Sequence, residues 1–210
     1  MKKQIASLHV ITDTAIQKRF THLELTELAI AGGAKLIQYR EKLASTSERI
    51  ATAASMKKFC VGSGVAFMVN DRVDIALASD ADGVHLGQDD LPLYVARKLL
   101  GDFKIIGVST TNIEQAREAE QNGANYIGFG NIFPTTSKIK TTPAKGLVEL
   151  QKLCKAVSIP VIAIGGITRK NVQDVLKCGA YGIAVIGDVC GQEHPEEAVR
   201  EFIELIEAVT

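Results

Sequence analysis

The sequence predicts an α/β fold, a compact single-domain (β/α)8 barrel of the TIM type that spans residues 1–210. Short β-branched segments alternate with longer amphipathic segments along the whole chain, as in βαβ units. Eight such units in 210 residues leave about 26 residues for each, close to the minimum length of a parallel strand–helix repeat. No low-complexity or linker-like segment divides the chain, so we expect one domain.

Eight short segments rich in Val and Ile are predicted to be strands buried on both faces. They are Leu8–Thr12, Lys35–Tyr39, Ala66–Asn70, Gly83–Leu86, Lys104–Val108, Tyr126–Phe129, Val161–Ile164 and Ile183–Ile186. Eight parallel strands can close into a barrel that has no free edge. The alternative is a doubly wound open sheet. It is disfavoured because no G-x-G-x-x-G sequence follows the first strand.

The segments between the strands carry helix start signals. Three have the capping-box spacing, in which the side chains satisfy the first backbone N–H groups of a helix: Thr21-x-x-Glu24, Ser45-x-x-Glu48 and Thr111-x-x-Glu114. Pro92 and Pro195 stand where a first helical turn tolerates a missing N–H group. These signals indicate a helix after most of the predicted strands.

Composition excludes several classes of function. The 24 Lys and Arg residues balance 24 Asp and Glu residues, which argues against a nucleic-acid-binding protein. The apolar runs are too short to cross a bilayer, and the N-terminus does not read as a signal peptide. The four cysteines form no C-x-x-C pair, so neither a zinc knuckle nor a dithiol redox centre is indicated. We therefore expect a cytoplasmic globular protein with reduced thiols.

Polar residues continue the second predicted strand. In barrels of this type, chemistry gathers at the carboxyl ends of the strands. Period-2 alternation places Gln38, Arg40 and Lys42 on one face, directed into the mouth of the barrel. A solvated strand end would explain Lys42 alone. Because Gln38 and Arg40 continue an apolar strand, the pattern favours a ligand-binding role.

Two carboxylates follow neighbouring predicted strands. Asp71 comes directly after the third strand and Asp90 comes shortly after the fourth. Mg²⁺ prefers one or two carboxylates together with water and the oxygens of a substrate phosphate, so the pair predicts a magnesium site. The alternatives are a turn role for Asp71 and helix capping by Asp90. His85 is either a buried structural histidine or a catalytic one.

Several later segments are suited to binding anions. Ser109 precedes a predicted helix start, and residues 131–145 form the longest irregular segment, in which Thr135, Thr136, Ser137 and Lys138 suggest a lid. A flexible polar loop is the alternative. Gly165, Gly166 and Gly187 follow the seventh and eighth strands, where barrels frequently bind phosphate. Two anion sites, one for a diphosphate and one for a monophosphate, are therefore predicted.

Taken in order, these segments resemble the thiamine-phosphate synthase family from about residue 8 to residue 205. The resemblance is carried by Gln38-x-Arg40-x-Lys42, Asn70-Asp71, Gly87-Gln88-Asp89-Asp90, Gly107-Val108-Ser109, Pro134-Thr135-Thr136-Ser137-Lys138 and Ile164-Gly165-Gly166-Ile167. It implies a transferase that condenses 4-amino-2-methyl-5-(diphosphooxymethyl)pyrimidine with a (carboxy)thiazole ethyl phosphate. The products would be thiamine phosphate and diphosphate. Its implied partners are these small-molecule substrates and Mg²⁺.

The resemblance also implies roles for individual residues. Arg40, Lys42, Ser109 and Lys138 would be catalytic, and Asp71 and Asp90 would bind magnesium. The substrate-binding residues would be Gln38, Tyr39, Arg40, Glu41, Lys42, Asn70, Ser109, Thr135, Thr136, Ser137, Lys138, Gly166, Ile186 and Gly187. The chain departs from the family at Asn131, where Pro is frequent, and at Gly187, where Ser is common. The second departure bears on affinity for the thiazole phosphate.

Several points stay open at this stage. We expect no protein nucleophile, and a site that lacks a Ser–His or Cys–His pair. A thiazole-tautomerase-like relative is one alternative. It would lack the diphosphate and magnesium residues, and such proteins can carry His near the position of Asn131. A non-catalytic, ligand-binding regulatory paralogue is the other. Whether the chain forms a homo-oligomer cannot be read from one sequence.

Overall fold

The computed structural model describes residues 5–135 and 143–209. Eight parallel strands form a closed barrel in the order β1 to β8, and β8 pairs with β1. The strands are β1 Leu8–Thr12, β2 Leu36–Tyr39, β3 Ala66–Asn70, β4 Gly83–Leu86, β5 Ile105–Thr110, β6 Tyr126–Phe129, β7 Val161–Ile164 and β8 Gly182–Val185. The predicted (β/α)8 barrel is confirmed, and the open-sheet alternative is wrong.

The largest departure from the predicted strands is at β5. We expected this strand to end at Val108, but it continues to Thr110. Its last residues pair with β6, with Ser109 opposite Gly128 and Thr110 opposite Phe129. Ser109 therefore lies inside a strand, and its side chain is fixed by the strand rather than by a loop. β2 begins one residue later than predicted, and β8 lies one residue earlier.

Helices follow the strands around the outside of the barrel. They are α1 His22–Ala31, α2 Thr46–Gly62, α3 Val73–Ala78, α4 Leu93–Leu100, α5 Ile113–Gln121, α6 Gly146–Ala156, α7 Val172–Lys177, α8 Gly187–Cys190 and α9 Pro195–Glu207. Along the described ranges, none of these helices has both the length and the apolar character needed to cross a bilayer.

The start signals of α1 and α2 are confirmed, because Thr21 and Ser45 each form a complete capping box. The predicted start at Thr111 is wrong by one residue. Asn112 caps α5 by accepting a hydrogen bond from the Gln115 backbone N–H, and Thr111 instead donates to the Gln115 side chain. The longer β5 moves the helix start along the chain. Similarly, Pro92 is the cap residue before α4 rather than part of its first turn.

Apolar side chains fill two separate spaces. One cluster lies between the barrel and the helices, and the other lies inside the barrel. The inner cluster includes Leu36, Met68, Ile105, Tyr126 and Ile162, which point inward because side chains alternate along each strand. These side chains form the floor beneath the open carboxyl end of the barrel, where the polar strand-end residues gather.

Candidate active site

A cavity of about 490 Å³ opens at the carboxyl ends of the strands. Its lining includes, among the residues expected to bind substrate or metal, Gln38, Arg40, Lys42, Asn70, Asp71, Asp90, Ser109 and Ile186. Gln38 in β2, and Arg40 and Lys42 directly after it, thus lie on one side, as predicted. The fold brings together residues that are far apart in the sequence.

Each of the two cations from the β2 end pairs with a carboxylate. Arg40 Nη1 donates to Asp13 Oδ2, and Lys42 Nζ donates to Asp71 Oδ2. In the first pair, the Arg40 and Asp13 side chains are 15% and 3% exposed. In the second pair, the Lys42 and Asp71 side chains are 49% and 19% exposed. The first pair is therefore fixed in the protein interior, and the second pair is open to solvent and to ligands.

The two predicted metal ligands lie at the same rim. The Asp71 backbone adopts a left-handed φ of 65°, which Asp tolerates, and its N–H donates to the His85 carbonyl at 2.7 Å. Asp90 Oδ2 accepts the Gly87 N–H at 2.6 Å. Burial raises the pKa of Asp90 despite this bond, and the neighbouring Asp71 carboxylate raises it further. A cation between the two carboxylates would relieve this repulsion.

The helix-capping alternative for Asp90 is not what the structure shows. Its carboxylate turns back to Gly87, and the cap residue of α4 makes no side-chain cap hydrogen bond. Within residues 5–135 and 143–209, no group of three or more His, Cys, Asp or Glu side chains could enclose a metal ion. Two carboxylates suit Mg²⁺, which completes its shell with water and phosphate oxygens.

We expect Asp90→Asn to stabilise the metal-free protein. In the folded protein the pKa of Asp90 lies above its ordinary value of 3.8. In the pH range between these two values, the folded protein therefore binds more protons than the unfolded chain. The free energy of unfolding of the wild type then falls as pH rises through the range. The variant lacks this loss because it carries no charge. Calorimetry in EDTA at pH 7 should give a melting temperature equal to or above that of the wild type.

The same variant supplies the control for metal binding. Added Mg²⁺ should raise the melting temperature of the wild type, because binding to the folded state stabilises it, and should raise that of the variant much less. A variant that melts below the wild type in EDTA would contradict the repulsion between Asp71 and Asp90.

One wall of the cavity carries a chain of contacting hydroxyl, imidazole and phenol groups. Ser109 Oγ lies 2.8 Å from His85 Nε2, and His85 Nδ1 lies 2.9 Å from the Tyr126 hydroxyl. The expectation of a site without a Ser–His pair is therefore wrong. The pair forms because β5 extends through Ser109, which faces inward beside His85 on the neighbouring strand. The third group is a tyrosine hydroxyl, not the carboxylate that orients histidine in Ser–His–Asp triads.

His9 and Tyr126 also line this cavity, although no sequence pattern singles them out. His9 Nε2 lies 3.1 Å from the Ala6 carbonyl, so this nitrogen carries the proton. Burial lowers the pKa of His9 to about 3, and the nearby His85 lowers it too. His9 is therefore neutral at pH 7 and packs edge-on against the Tyr126 ring, 5.0 Å between centroids.

Gln38 carries an unused hydrogen-bond acceptor. The residue is 1% exposed and its Oε1 atom is buried with no hydrogen-bond partner among the described residues. A buried polar atom without a partner costs about 1–3 kcal/mol. An acceptor held at this cost beside a cavity suits a ligand that brings an N–H or O–H donor.

Tyr39 and Glu41 lie on the other side of β2 and its following loop. Tyr39 belongs to the cluster between barrel and helices and contacts the His22 ring edge-on. Burial tends to raise the pKa of Glu41, but the N–H groups of Leu43 and Ala44 and the His22 ring lower it to about 2. The described contacts of Glu41 hold the β2–α2 loop, and a substrate contact for either residue stays a prediction.

A second cavity of about 510 Å³ adjoins the first at Ile164, Ala184 and Ile186. Thr135, Gly166 and Gly187 line it, together with Asn131. Gly166 has a φ of +66°, and a Cβ atom there would lie 2.6 Å from the Pro134 carbonyl oxygen, so only glycine fits. Thr136, Ser137 and Lys138 lie outside the described residues, and their predicted roles stay predictions.

The sequence model of thiamine monophosphate synthases matches residues 8–189. The chain belongs to this family. The thiamine-phosphate synthase of Chlorobium luteolum is 49% identical over 95% of this chain and 92% of its own length. That of Salinibacter ruber is 45% identical over 99% of this chain and 92% of its own length. The predicted family is therefore confirmed, and with it a transferase.

Solved structures agree with this membership of the thiamine-phosphate synthase family. The thiamine phosphate pyrophosphorylase of Pyrococcus furiosus is 41% identical, covers 97% of this chain and 96% of its own, and has a TM-score of 0.88. A native KDPGal structure has a TM-score of 0.77 at 16% identity, covers 100% of this chain and 98% of its own, and shares the fold alone. These relatives give no support to the tautomerase-like or regulatory alternatives.

Proposed function

We propose that this chain joins 4-amino-2-methyl-5-(diphosphooxymethyl)pyrimidine to a (carboxy)thiazole ethyl phosphate, forming thiamine phosphate and releasing diphosphate, together with CO₂ when the thiazole carries the carboxylate. The observation that carries the proposal is the convergence of two cations and the two predicted metal-binding carboxylates on one cavity. Arg40 and Lys42 stand there beside Asp71 and Asp90, in a chain of the thiamine monophosphate synthase family. Cations and a metal site together suit a diphosphate.

Asp71 and Asp90 would hold the magnesium ion. Their carboxylates repel each other in the protein alone, and Lys42 already pairs with Asp71. Bound there, Mg²⁺ would neutralise charge on the diphosphate oxygens. Because Lys42 is half exposed, it can exchange its bond to Asp71 for one to the same diphosphate. The site residues therefore support Mg²⁺ as the cofactor.

The chemistry we propose is substitution with dissociative character. As the C–O bond to the diphosphate breaks, Arg40 and Lys42 stabilise the negative charge that develops on the leaving group. The aminopyrimidine ring shares the positive charge left on the carbon. The thiazole nitrogen then forms the new bond with its lone pair. No covalent bond to Ser109 is needed, because the diphosphate is already a good leaving group.

Gln38 would orient the pyrimidine ring. Its unpartnered Oε1 atom suits the exocyclic amino group, and Ser109 and His85 suit ring nitrogens on the same wall of the cavity. We expect Gln38→Met, which removes the acceptor at similar size, to lower kcat/KM for the pyrimidine diphosphate about a hundredfold. The melting temperature should stay the same or rise, because a buried polar atom is removed.

A substrate analogue provides the control for this role of Gln38. An analogue with hydrogen in place of the amino group should react poorly with the wild type and about equally poorly with Gln38→Met. If Gln38→Met lowers kcat/KM by the same factor for the pyrimidine diphosphate and for its analogue, Gln38 does not bind the amino group.

The second cavity would hold the thiazole phosphate. Thr135 supplies a hydroxyl, and Gly166, Ile186 and Gly187 let the phosphate approach the backbone. Because α8 begins at Gly187, its first N–H groups lack partners within the helix. Backbone donors can therefore serve where family members often have Ser. Both cavities share Ile164, Ala184 and Ile186, which supports the proposal that the two reacting groups bind next to each other.

The direct test is a single-turnover reaction of the purified protein with both phosphorylated substrates. We expect thiamine phosphate and diphosphate in equal amounts with Mg²⁺, and little product in EDTA. Tautomerisation of the thiazole alone, or binding without turnover, would overturn the proposal. Intact-mass measurement during the reaction should find no pyrimidine–protein adduct, whereas an adduct on Ser109 would contradict direct substitution.

The cytoplasmic location stays a prediction, and whether the chain forms a homo-oligomer stays open. Size measurement in solution tests the second of these.

A further inference from the structure

We infer that Asp13, the residue that follows β1, is a positioning residue for Arg40 in the proposed reaction. The inference rests on the proposed function, in which Arg40 binds the diphosphate. Asp13 does not line the cavity, so it would act through Arg40 rather than by touching substrate.

Both oxygens of the Asp13 carboxylate are engaged. Oδ1 accepts the Ala15 N–H at 2.9 Å, and Oδ2 accepts Arg40 Nη1. The side chain is 3% exposed, so it cannot turn toward the solvent. The Arg40 backbone N–H is also tied to β1, because it donates to the Thr12 carbonyl at 3.2 Å. The end of β1 therefore holds both the backbone and the guanidinium of Arg40.

The two cations of the site differ in this respect. Lys42 pairs with Asp71, a half-exposed contact to a residue that we assign to the metal. Arg40 pairs with a buried carboxylate whose other oxygen accepts the Ala15 N–H and which we do not assign to the metal. A guanidinium has five N–H donors in a rigid fork, so one bond to Asp13 leaves others for a ligand. Arg40 is thus oriented before the diphosphate arrives, and less side-chain freedom is lost on binding.

The charge of Asp13 acts in the opposite direction, because it repels a diphosphate. Two features decide the balance in favour of positioning. The Asp13 charge is already compensated by its partner, and the Arg40 side chain is only 15% exposed. Without Asp13, this guanidinium would be free to pair with the carboxylates that line the cavity, Asp71, Asp89 and Asp90. It would then compete with the metal rather than assist the leaving group.

The test is Asp13→Asn. The amide has the same size and can still accept from Ala15, but it no longer offers Arg40 a charged partner. Binding of inorganic diphosphate with Mg²⁺, measured by titration calorimetry, should weaken about tenfold. This is the effect expected when one side chain has to be ordered on binding. The value of kcat/KM should fall further, about a hundredfold, because Arg40 also stabilises the transition state.

A matched control lies at the opposite end of the barrel. Asp82 is also a largely buried carboxylate that contacts both a backbone N–H and a cation: its Oδ2 accepts the Phe67 N–H at 2.9 Å and Lys57 Nζ at 2.8 Å. Asp82→Asn should lower the melting temperature by an amount similar to Asp13→Asn, yet leave diphosphate binding and kcat/KM unchanged. A merely structural role for Asp13 predicts the same behaviour for both variants.

The double variant separates action through Arg40 from action by other routes. In an Arg40→Ala background, Asp13→Asn should cause no further loss of diphosphate affinity, since residues acting as one unit are not additive. Unchanged or tighter binding by Asp13→Asn, or a full further loss in the double variant, would overturn the inference. If the wild type binds Mg²⁺–diphosphate but makes no thiamine phosphate, the proposed function fails while this binding test still stands.

A measurement on the wild type covers the case in which Asp13→Asn does not fold. Nitrogen-15 spectra of the arginine side chains should show slow guanidinium rotation for Arg40 in the ligand-free protein, assigned with Arg40→Lys. Free rotation of Arg40 without ligand would also overturn the inference.

Discussion

Asp71→Asn is expected to lower kcat/KM about a thousandfold or more at the Mg²⁺ concentration that saturates the wild type. The reason is the loss of one of the two carboxylates that would hold the metal, whose neutralisation of the leaving group contributes several kcal/mol. Asn is the right replacement because it tolerates the left-handed φ of 65° at this position, which Ala does not. Steady-state kinetics over a range of Mg²⁺ concentrations measures the effect.

The fold should survive this change. The backbone bond from Asp71 to the His85 carbonyl remains, and the lost partner, Lys42, is half exposed. Asp74→Asn is the matched control, because Asp74 lies three residues further on and pairs with the exposed Arg72. It should leave kcat/KM unchanged. Near-normal turnover of Asp71→Asn at low Mg²⁺ would remove the carboxylate from the metal site.

Gly107→Ala is expected to destabilise the protein by about 3 kcal/mol or more, at the upper end of overpacking effects. A Cβ atom at this position would lie 2.1 Å from Tyr126 Cζ and 2.5 Å from its hydroxyl oxygen. Tyr126 is 1% exposed, so its ring has nowhere to move without displacing the inner cluster. The ring would also lose its hydroxyl contact with His85. Urea unfolding measures the change in the free energy of unfolding.

The effect of Gly107→Ala on catalysis follows from the same displacement. Because His85 also contacts Ser109, the protein that remains folded should bind the pyrimidine diphosphate poorly. Gly62→Ala is the control: Gly62 ends α2, and a Cβ atom there meets nothing within 4 Å. It should be neutral or stabilise by up to about 1 kcal/mol. Equal stability of the two variants would mean that Tyr126 is not held where we describe it.

The sequence was sufficient for the barrel and for the β2 cations. Both follow from local rules, since strand periodicity alone sends Gln38, Arg40 and Lys42 to one face. Asp71 and Asp90 lie at one rim because they follow β3 and β4, which are parallel neighbours in the barrel. Periodicity predicts only the fold, and this fold serves many different reactions. The reaction was therefore predicted from the similarity to a family.

Other parts of the site depend on contacts between distant residues. Ser109 was expected just after the end of β5, but pairing with β6 extends β5 by two residues and brings its hydroxyl to His85. A strand end depends on how far its neighbour continues, and local sequence does not record this. Tyr126 was not singled out at all, because an aromatic residue in an apolar strand looks like ordinary core.

The amino-acid order by itself therefore determined the alternation of strands and helices, the face of each strand-end residue and the family. The tertiary structure alone decided which groups are partners: Asp13 with Arg40 across 27 residues, His85 with Ser109 across 24, and His85 with Tyr126 across 41. The physical reason is that period and capping act over a few residues, whereas a buried hydrogen bond depends on the register between strands. Closure of the barrel fixes that register.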